Sequence, residues 1–64
     1  MTKIEAYMKI CAAWDLYKRF CDGPVDWQAF ADALETPDNK AACETQFGRD
    51  LICAVERELR NDRV

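Results

Sequence analysis

Four cysteines divide this chain into two equally spaced pairs. Cys11 and Cys21 are separated by nine residues, and so are Cys43 and Cys53. A chain of 64 residues makes one domain at most, and it buries only about 60% of the surface that its unfolded form exposes. Disulfide bonds commonly supplement so small a core. Because four cysteines allow only three pairings, their spacing restricts the fold more than any other feature of the sequence.

The sequence predicts an all-α fold in which two long helices flank a short one. The first long helix covers residues 2–21, where no glycine or proline occurs and apolar residues recur at helical spacing. Gly23 suits the left-handed position that ends a helix. The short helix is predicted over 26–35 with Asp26 as its N-cap, and the second long helix over 37–61. We treat residues 1–64 as a single helical domain.

The two long helices bring all four cysteines into position for cross-linking if they run antiparallel. In two antiparallel helices, the residue numbers of contacting positions add up to a constant. The numbers of Cys11 and Cys53 add up to 64, and so do those of Cys21 and Cys43. A separation of one heptad plus three positions lets both cysteines of a helix face the same partner. We therefore predict an antiparallel helical hairpin cross-linked by these two disulfides, with the short helix in the connection. The alternatives are four reduced thiols packed as small apolar side chains or a metal site, although structural zinc prefers ligands two to four residues apart.

The spacing of the cysteines resembles the twin C-x9-C motif of the coiled-coil–helix–coiled-coil–helix (CHCH) family over residues 11–53. The resemblance implies a hairpin with two nested disulfides, residence in the mitochondrial intermembrane space, and import by the oxidative disulfide relay. Substrates of that relay carry apolar and aromatic residues beside a docking cysteine. Similar residues flank Cys11 here: Ile4, Tyr7, Met8, Trp14 and Tyr17. The extra cysteines of the family's copper chaperones and the Cys-Pro-Cys of its oxidoreductase are missing, so the resemblance implies neither activity.

Composition indicates a protein that is neither an enzyme nor a nucleic-acid binder. The chain contains no histidine and no serine, which excludes serine–histidine and cysteine–histidine catalytic pairs and a mixed Cys/His zinc site within it. Its net charge of −3 is the opposite of the basic patch that nucleic acids require. We expect no catalytic residues, no cofactor and no metal.

An apolar stripe on the second long helix lies nearly opposite its two cysteines. A hairpin held by the predicted disulfides leaves this stripe uncovered, and uncovered apolar patches on small proteins often mark interfaces. We therefore predict that the stripe, together with two residues of the first helix, binds a protein partner. Its members are Gly48, Leu51, Ile52, Val55, Leu59, Leu16 and Phe20. The alternative is that the short helix folds back over the stripe or that the long helix bends at Gly48.

Together, the resemblance and the stripe predict a non-catalytic accessory subunit of a mitochondrial respiratory chain complex. It would lie on the intermembrane-space side of the inner membrane, bind protein subunits of that complex, and reach the membrane only through them. A soluble assembly factor and a mitochondrial ribosome subunit are alternatives within the same family. Without the resemblance, the alternative is a bacterial or phage-borne helical interaction protein with reduced cysteines.

Overall fold

Four helices form the chain, which a computed structural model describes over residues 1–61. Helix α1 spans Lys3–Phe20, α2 spans Trp27–Leu34, α3 spans Pro37–Ala42 and α4 spans Gln46–Asn61. No strand occurs among residues 1–61. The all-α prediction is confirmed, and the first two predicted helices begin and end within one residue of α1 and α2.

Side-chain caps explain where α1 and α2 begin, and a glycine follows the end of α1. At the start of α1, the Glu5 N–H donates to the Thr2 hydroxyl at 3.1 Å and the Thr2 N–H donates to the Glu5 carboxylate at 3.4 Å, which is a capping box. Beyond α1, Gly23 adopts a φ of +84°, a conformation that a side chain would strain. The Asp26 carboxylate accepts two backbone N–H groups in the first turn of α2, as predicted for its N-cap.

The single helix predicted over 37–61 is wrong, because the chain turns at 43–45 and forms two helices there. The Thr45 hydroxyl accepts the Gly48 N–H at 3.2 Å and so satisfies a donor in the first turn of α4. The alternative of a bend at Gly48 is not observed either. Gly48 lies buried inside α4, and a Cβ there would overlap the carbonyl oxygen of Ala42 and lie 2.6 Å from its carbonyl carbon. Gly48 therefore allows α4 to approach the end of α3 closely.

Helices α1 and α4 run in the same direction, and their starting ends lie together. The Lys9 ammonium, in the first half of α1, donates to the carbonyl oxygen of Ala41 at 2.9 Å. Ala41 belongs to the last turn of α3, and Gly48 in the first turn of α4 abuts the next residue, Ala42. The first half of α1 is therefore beside the start of α4.

The far ends of α1 and α4 meet through the rings of α2. The ring centroid of Phe20, the last residue of α1, is 5.4 Å from that of Phe30, which is 5.3 Å from that of Trp27. The Arg60 guanidinium, near the end of α4, lies 4.4 Å from the centroid of the Trp27 ring. An antiparallel hairpin would place Arg60 beside the start of α1, about 25 Å from Phe20 at 1.5 Å per residue. The antiparallel orientation predicted for the long helices is therefore wrong: α1 and α4 pack directly on each other, and α2 runs back beside them.

The core lies where α1, α2 and α4 meet, and Leu16 and Leu59 are its fully buried large side chains. Every residue predicted to bind a partner is buried or half-buried: Gly48, Leu51, Ile52, Val55, Leu59, Leu16 and Phe20. The expectation of an exposed docking stripe is thus corrected. The stripe is covered because α2 folds back and packs Phe30 and Ala33 against it. This is the alternative that the sequence analysis gave for the short helix.

Candidate functional site

The cysteines predicted to pair near the turn lie far apart in this fold. All four cysteines are thiols. Cys21 follows α1 and lies about 18 Å beyond Lys9 along the helix direction, whereas Cys43 is two residues after Ala41, which Lys9 contacts. Since a disulfide needs Cα atoms within about 7 Å of each other, joining Cys21 to Cys43 would require α4 to turn round.

The outer pair of cysteines is also separated by the packing of the helices. Cys11 is two positions from the buried Ala13, about 200° around α1, so its side chain leaves the helix on the side away from the core. Cys53 is exposed, one position after the buried Ile52 of α4. The predicted bond between Cys11 and Cys53 therefore belongs to a different arrangement of the helices.

A row of exposed apolar side chains follows the side of α1 that carries Cys11. We call this surface the α1 outer face; it consists of Ile4, Tyr7, Met8, Cys11 and Trp14. Residues with this spacing are neighbours on a helix. Ile4 is 72% exposed, Tyr7 67%, Met8 62% and Trp14 56%. Because large side chains carry about 150–250 Å² each, these four expose on the order of 500 Å², which is comparable to the largest patch on a typical monomer.

Contacts made by Trp14 and Tyr7 set the shape and polarity of the α1 outer face. The Trp14 ring stacks on the Tyr17 ring with centroids 6.2 Å apart, and the Lys18 ammonium lies 5.6 Å from the Trp14 centroid. A hydrogen bond between the Tyr7 hydroxyl and the Cys11 thiol raises the pKa of Tyr7 above its ordinary value of 10.0. The phenol therefore stays protonated at neutral pH and remains able to donate.

A cleft of about 700 Å³ adjoins this surface where α1 passes α3. We call it the α1–α3 cleft. Its walls come from α1 between Glu5 and Arg19 and from the segment between Thr36 and Glu44. Apolar side chains line both walls of the cleft. Met8 and Ala12 lie on the α1 wall, and Ala41 and Ala42 lie on the α3 wall. The cleft and the α1 outer face share Tyr7, Met8 and Cys11, so they form one continuous surface.

Carboxylates predominate at the rim of the α1–α3 cleft. Four exposed acids line it, namely Glu5, Asp15, Asp38 and Glu44. Its cations are Lys9, which is buried and bonded to the Ala41 carbonyl, and the exposed Arg19. The rim is therefore acidic, and the charge of Lys9 is directed at the carbonyl end of α3, where a helix favours cations.

Neither the cleft nor the cysteines form a metal site within residues 1–61. Over that range, no group of three or more Cys, Asp or Glu side chains is placed to hold a metal ion. In the same range, no helix combines the length and the apolar character needed to cross a membrane.

Comparison with protein-family models, with curated proteins and with solved structures gives no match.

The stripe predicted to be exposed consists of residues that the fold covers. Leu16, Ile52 and Leu59 lie in the core, and Phe20, Leu51 and Val55 pack against it. The exposed residues around Cys11 were noticed only through their resemblance to a relay-docking segment. One signal in the sequence indicated that the stripe would be covered: Trp27, Phe30 and Leu34 give α2 a full apolar face, which must itself be buried.

Proposed function

We propose that this chain is a non-catalytic protein-interaction module that binds a protein partner through the α1 outer face. The observation that carries this proposal is the exposure of four large apolar side chains on one side of a helix whose other side is firmly packed. Trp, Tyr and Met are among the residues enriched at the centres of protein interfaces. A chain without histidine or serine cannot form the serine–histidine or cysteine–histidine pairs of common hydrolases, which also favours a binding role.

The packing of α1 supports binding without a large ordering cost. Ala13 and Leu16 fix its inner side in the core, and the Thr2 and Glu5 caps fix its first turn. A helix that is formed before binding loses less conformational entropy than a segment that folds on its partner. Covering the exposed apolar area would contribute a favourable free energy of about 25 cal/mol per Å². The cost of association must be subtracted from this value.

Site-specific photo-crosslinking in the native host tests this function. A photoreactive residue at Met8 should trap a specific protein, and Trp14→Glu should abolish the product by placing a charge in the interface. The matched control is a photoreactive residue at Ala54, which is exposed on α4, together with Glu58→Gln. Equal products from Met8 and Ala54, or an unchanged product in Trp14→Glu, would refute the α1 outer face as the binding surface.

A second candidate is the accessory subunit of a mitochondrial respiratory complex, on the intermembrane-space side of the inner membrane. The equal cysteine spacing favours it, as do the exposed apolar residues that flank Cys11. In this candidate, oxidation joins Cys11 to Cys53 and Cys21 to Cys43, which requires an arrangement of the helices different from that of the reduced form described above. The partners would be protein subunits, with no direct contact to nucleic acid.

Thiol counting decides between the two candidates. Protein isolated without reductant and denatured in a thiol reagent should show four free thiols if the module works in the reduced form described above. No free thiol, with a peptide map that joins Cys11 to Cys53, would favour the mitochondrial subunit instead.

A further inference from the structure

We propose that the α1–α3 cleft receives a cationic amphipathic helix of the protein partner. The inference rests on the proposed function and names the chemistry of what that surface binds. The cleft is continuous with the α1 outer face through Tyr7, Met8 and Cys11, so a partner seated on that face extends naturally into the cleft.

The dimensions of the cleft suit a helix. Its α1 wall runs from Glu5 to Arg19, about 21 Å at 1.5 Å per residue. That length accommodates about four turns of a partner helix. Ala12, Ala41 and Ala42 line the cleft, and side chains this small allow another helix to approach at the short end of the usual 8–10 Å interaxial range.

The charged residues at the rim of the cleft favour a positively charged partner. Asp38 and Glu44 stand on the α3 wall, and Glu5 and Asp15 stand on the α1 wall. Asp15 already pairs with Lys18 at 3.3 Å, and Glu5 already accepts the Thr2 N–H. The cations of the lining, Lys9 and Arg19, stand on the α1 wall, so the charged residues of the opposite wall are both carboxylates. An apolar channel with one acidic wall matches a helix whose apolar stripe is flanked by Lys or Arg.

The same charges disfavour other occupants. Nucleic acids and anionic peptides would be repelled by the acidic rim. A second copy of the chain carries the same net charge of −3, so its approach is opposed by repulsion. A cationic helix gains attraction that raises the association rate and fixes its orientation.

A designed peptide provides the test, with the reduced full-length protein labelled with 15N for NMR. The probe is a 14-residue amphipathic helix with a leucine stripe and a lysine polar face, and its partner probe replaces every lysine with glutamate. The lysine peptide should bind, shift the amide signals of Ala12, Asn39 and Glu44, and bind more weakly as salt is added. Preference for the glutamate peptide, or shifts confined to α4, would overturn the proposal.

Neutralising the rim supplies the second arm of this test. The double variant Asp38→Asn with Glu44→Gln should weaken binding of the lysine peptide about fivefold, the scale of two exposed charge pairs. The control variant, Asp50→Asn with Glu58→Gln, removes the same charge from α4 and should leave the affinity within about twofold because neither residue lines the cleft. Equal effects of the two double variants would contradict a specific role of the cleft, since only the net charge would then matter.

The two proposals fail in distinguishable ways. If Trp14→Glu abolishes the crosslink to the native partner while the rim variant leaves it unchanged, the binding module stands and the cationic helix is wrong. If Trp14→Glu leaves the crosslink unchanged, the proposed function itself is wrong. A dimer in sedimentation experiments that the rim variant dissociates would identify a second copy as the occupant and would also overturn the cationic partner.

Discussion

Gly48→Ala is the substitution that most directly probes how α4 meets α3. The new methyl group would overlap the carbonyl oxygen of Ala42 and lie 2.6 Å from its carbonyl carbon. Both atoms belong to the backbone, so no flexible side chain can move aside. The turn 43–45 joins the two helices directly, and the strain must therefore displace one helix relative to the other.

Two opposing effects set the magnitude for Gly48→Ala. Alanine is better than glycine inside a helix by about 1 kcal/mol. Overpacking costs about 1–3 kcal/mol, and a rigid backbone neighbour puts this site at the upper end. We expect a net loss of about 2 kcal/mol. A chain of this length has a free energy of unfolding of about 3–10 kcal/mol, so the loss is a large fraction of the total.

Urea unfolding followed by far-UV circular dichroism, in reductant, measures this loss. With a slope of about 1 kcal/mol per molar for a small protein, the midpoint should fall by about 2 M. Ala54→Gly on the exposed side of α4 calibrates helix propensity and should cost about 1 kcal/mol. Gly23→Ala, which has no atom within 4 Å of its new Cβ, isolates backbone strain. A Gly48→Ala protein that is more stable than the wild type would refute the close approach of α3 and α4.

Three further substitutions test polar contacts by the same unfolding measurement. Lys9→Met keeps the aliphatic stem but removes the bond to the Ala41 carbonyl, and it should cost about 1.5–3 kcal/mol, the range for a hydrogen bond to a charged group; no loss would mean that α3 does not lie against α1. Asn39→Asp replaces the buried amide donor that bonds the Ala33 carbonyl at 2.8 Å with a carboxylate that cannot donate, and it should cost about 1–3 kcal/mol because the new charge is buried against a carbonyl oxygen. The Thr2 backbone and hydroxyl lower the pKa of Glu5 below 4.5, so this contact stabilises the fold above the ordinary pKa and is lost as the pH falls through the lowered one. Glu5→Gln should therefore flatten the loss of stability below pH 4.5, and an unchanged acid profile would show that the capping box does not form.

Local signals in the sequence were sufficient to locate the first two helices. A segment free of glycine and proline predicts α1, and the Asp26 cap predicts the start of α2, because capping acts over three or four residues and is independent of the rest of the fold. The turn at 43–45 was missed although Thr45 is itself a good N-cap. The absence of proline between residues 38 and 61 concealed it, and the contact of Gly48 with Ala42 is a tertiary effect.

The direction of α4 could not be obtained from the cysteines. The constant sum of their positions is a geometric test only once the helices are assumed to be antiparallel, and equal spacing also fits helices that run the same way. Phe30 and Trp27 decide the direction, since they fill the space between the ends of α1 and α4. The same packing places the predicted docking stripe in the core and leaves the α1 outer face exposed.

Proton NMR of the reduced protein tests the shared direction of α1 and α4 most directly, because it needs no substitution. A shared direction predicts nuclear Overhauser cross-peaks between the Trp27 ring and the side chain of Arg60, and between the side chain of Lys9 and the backbone of Ala41. Cross-peaks that link Leu59 to Ile4, in the first turn of α1, would instead show that the two helices run in opposite directions.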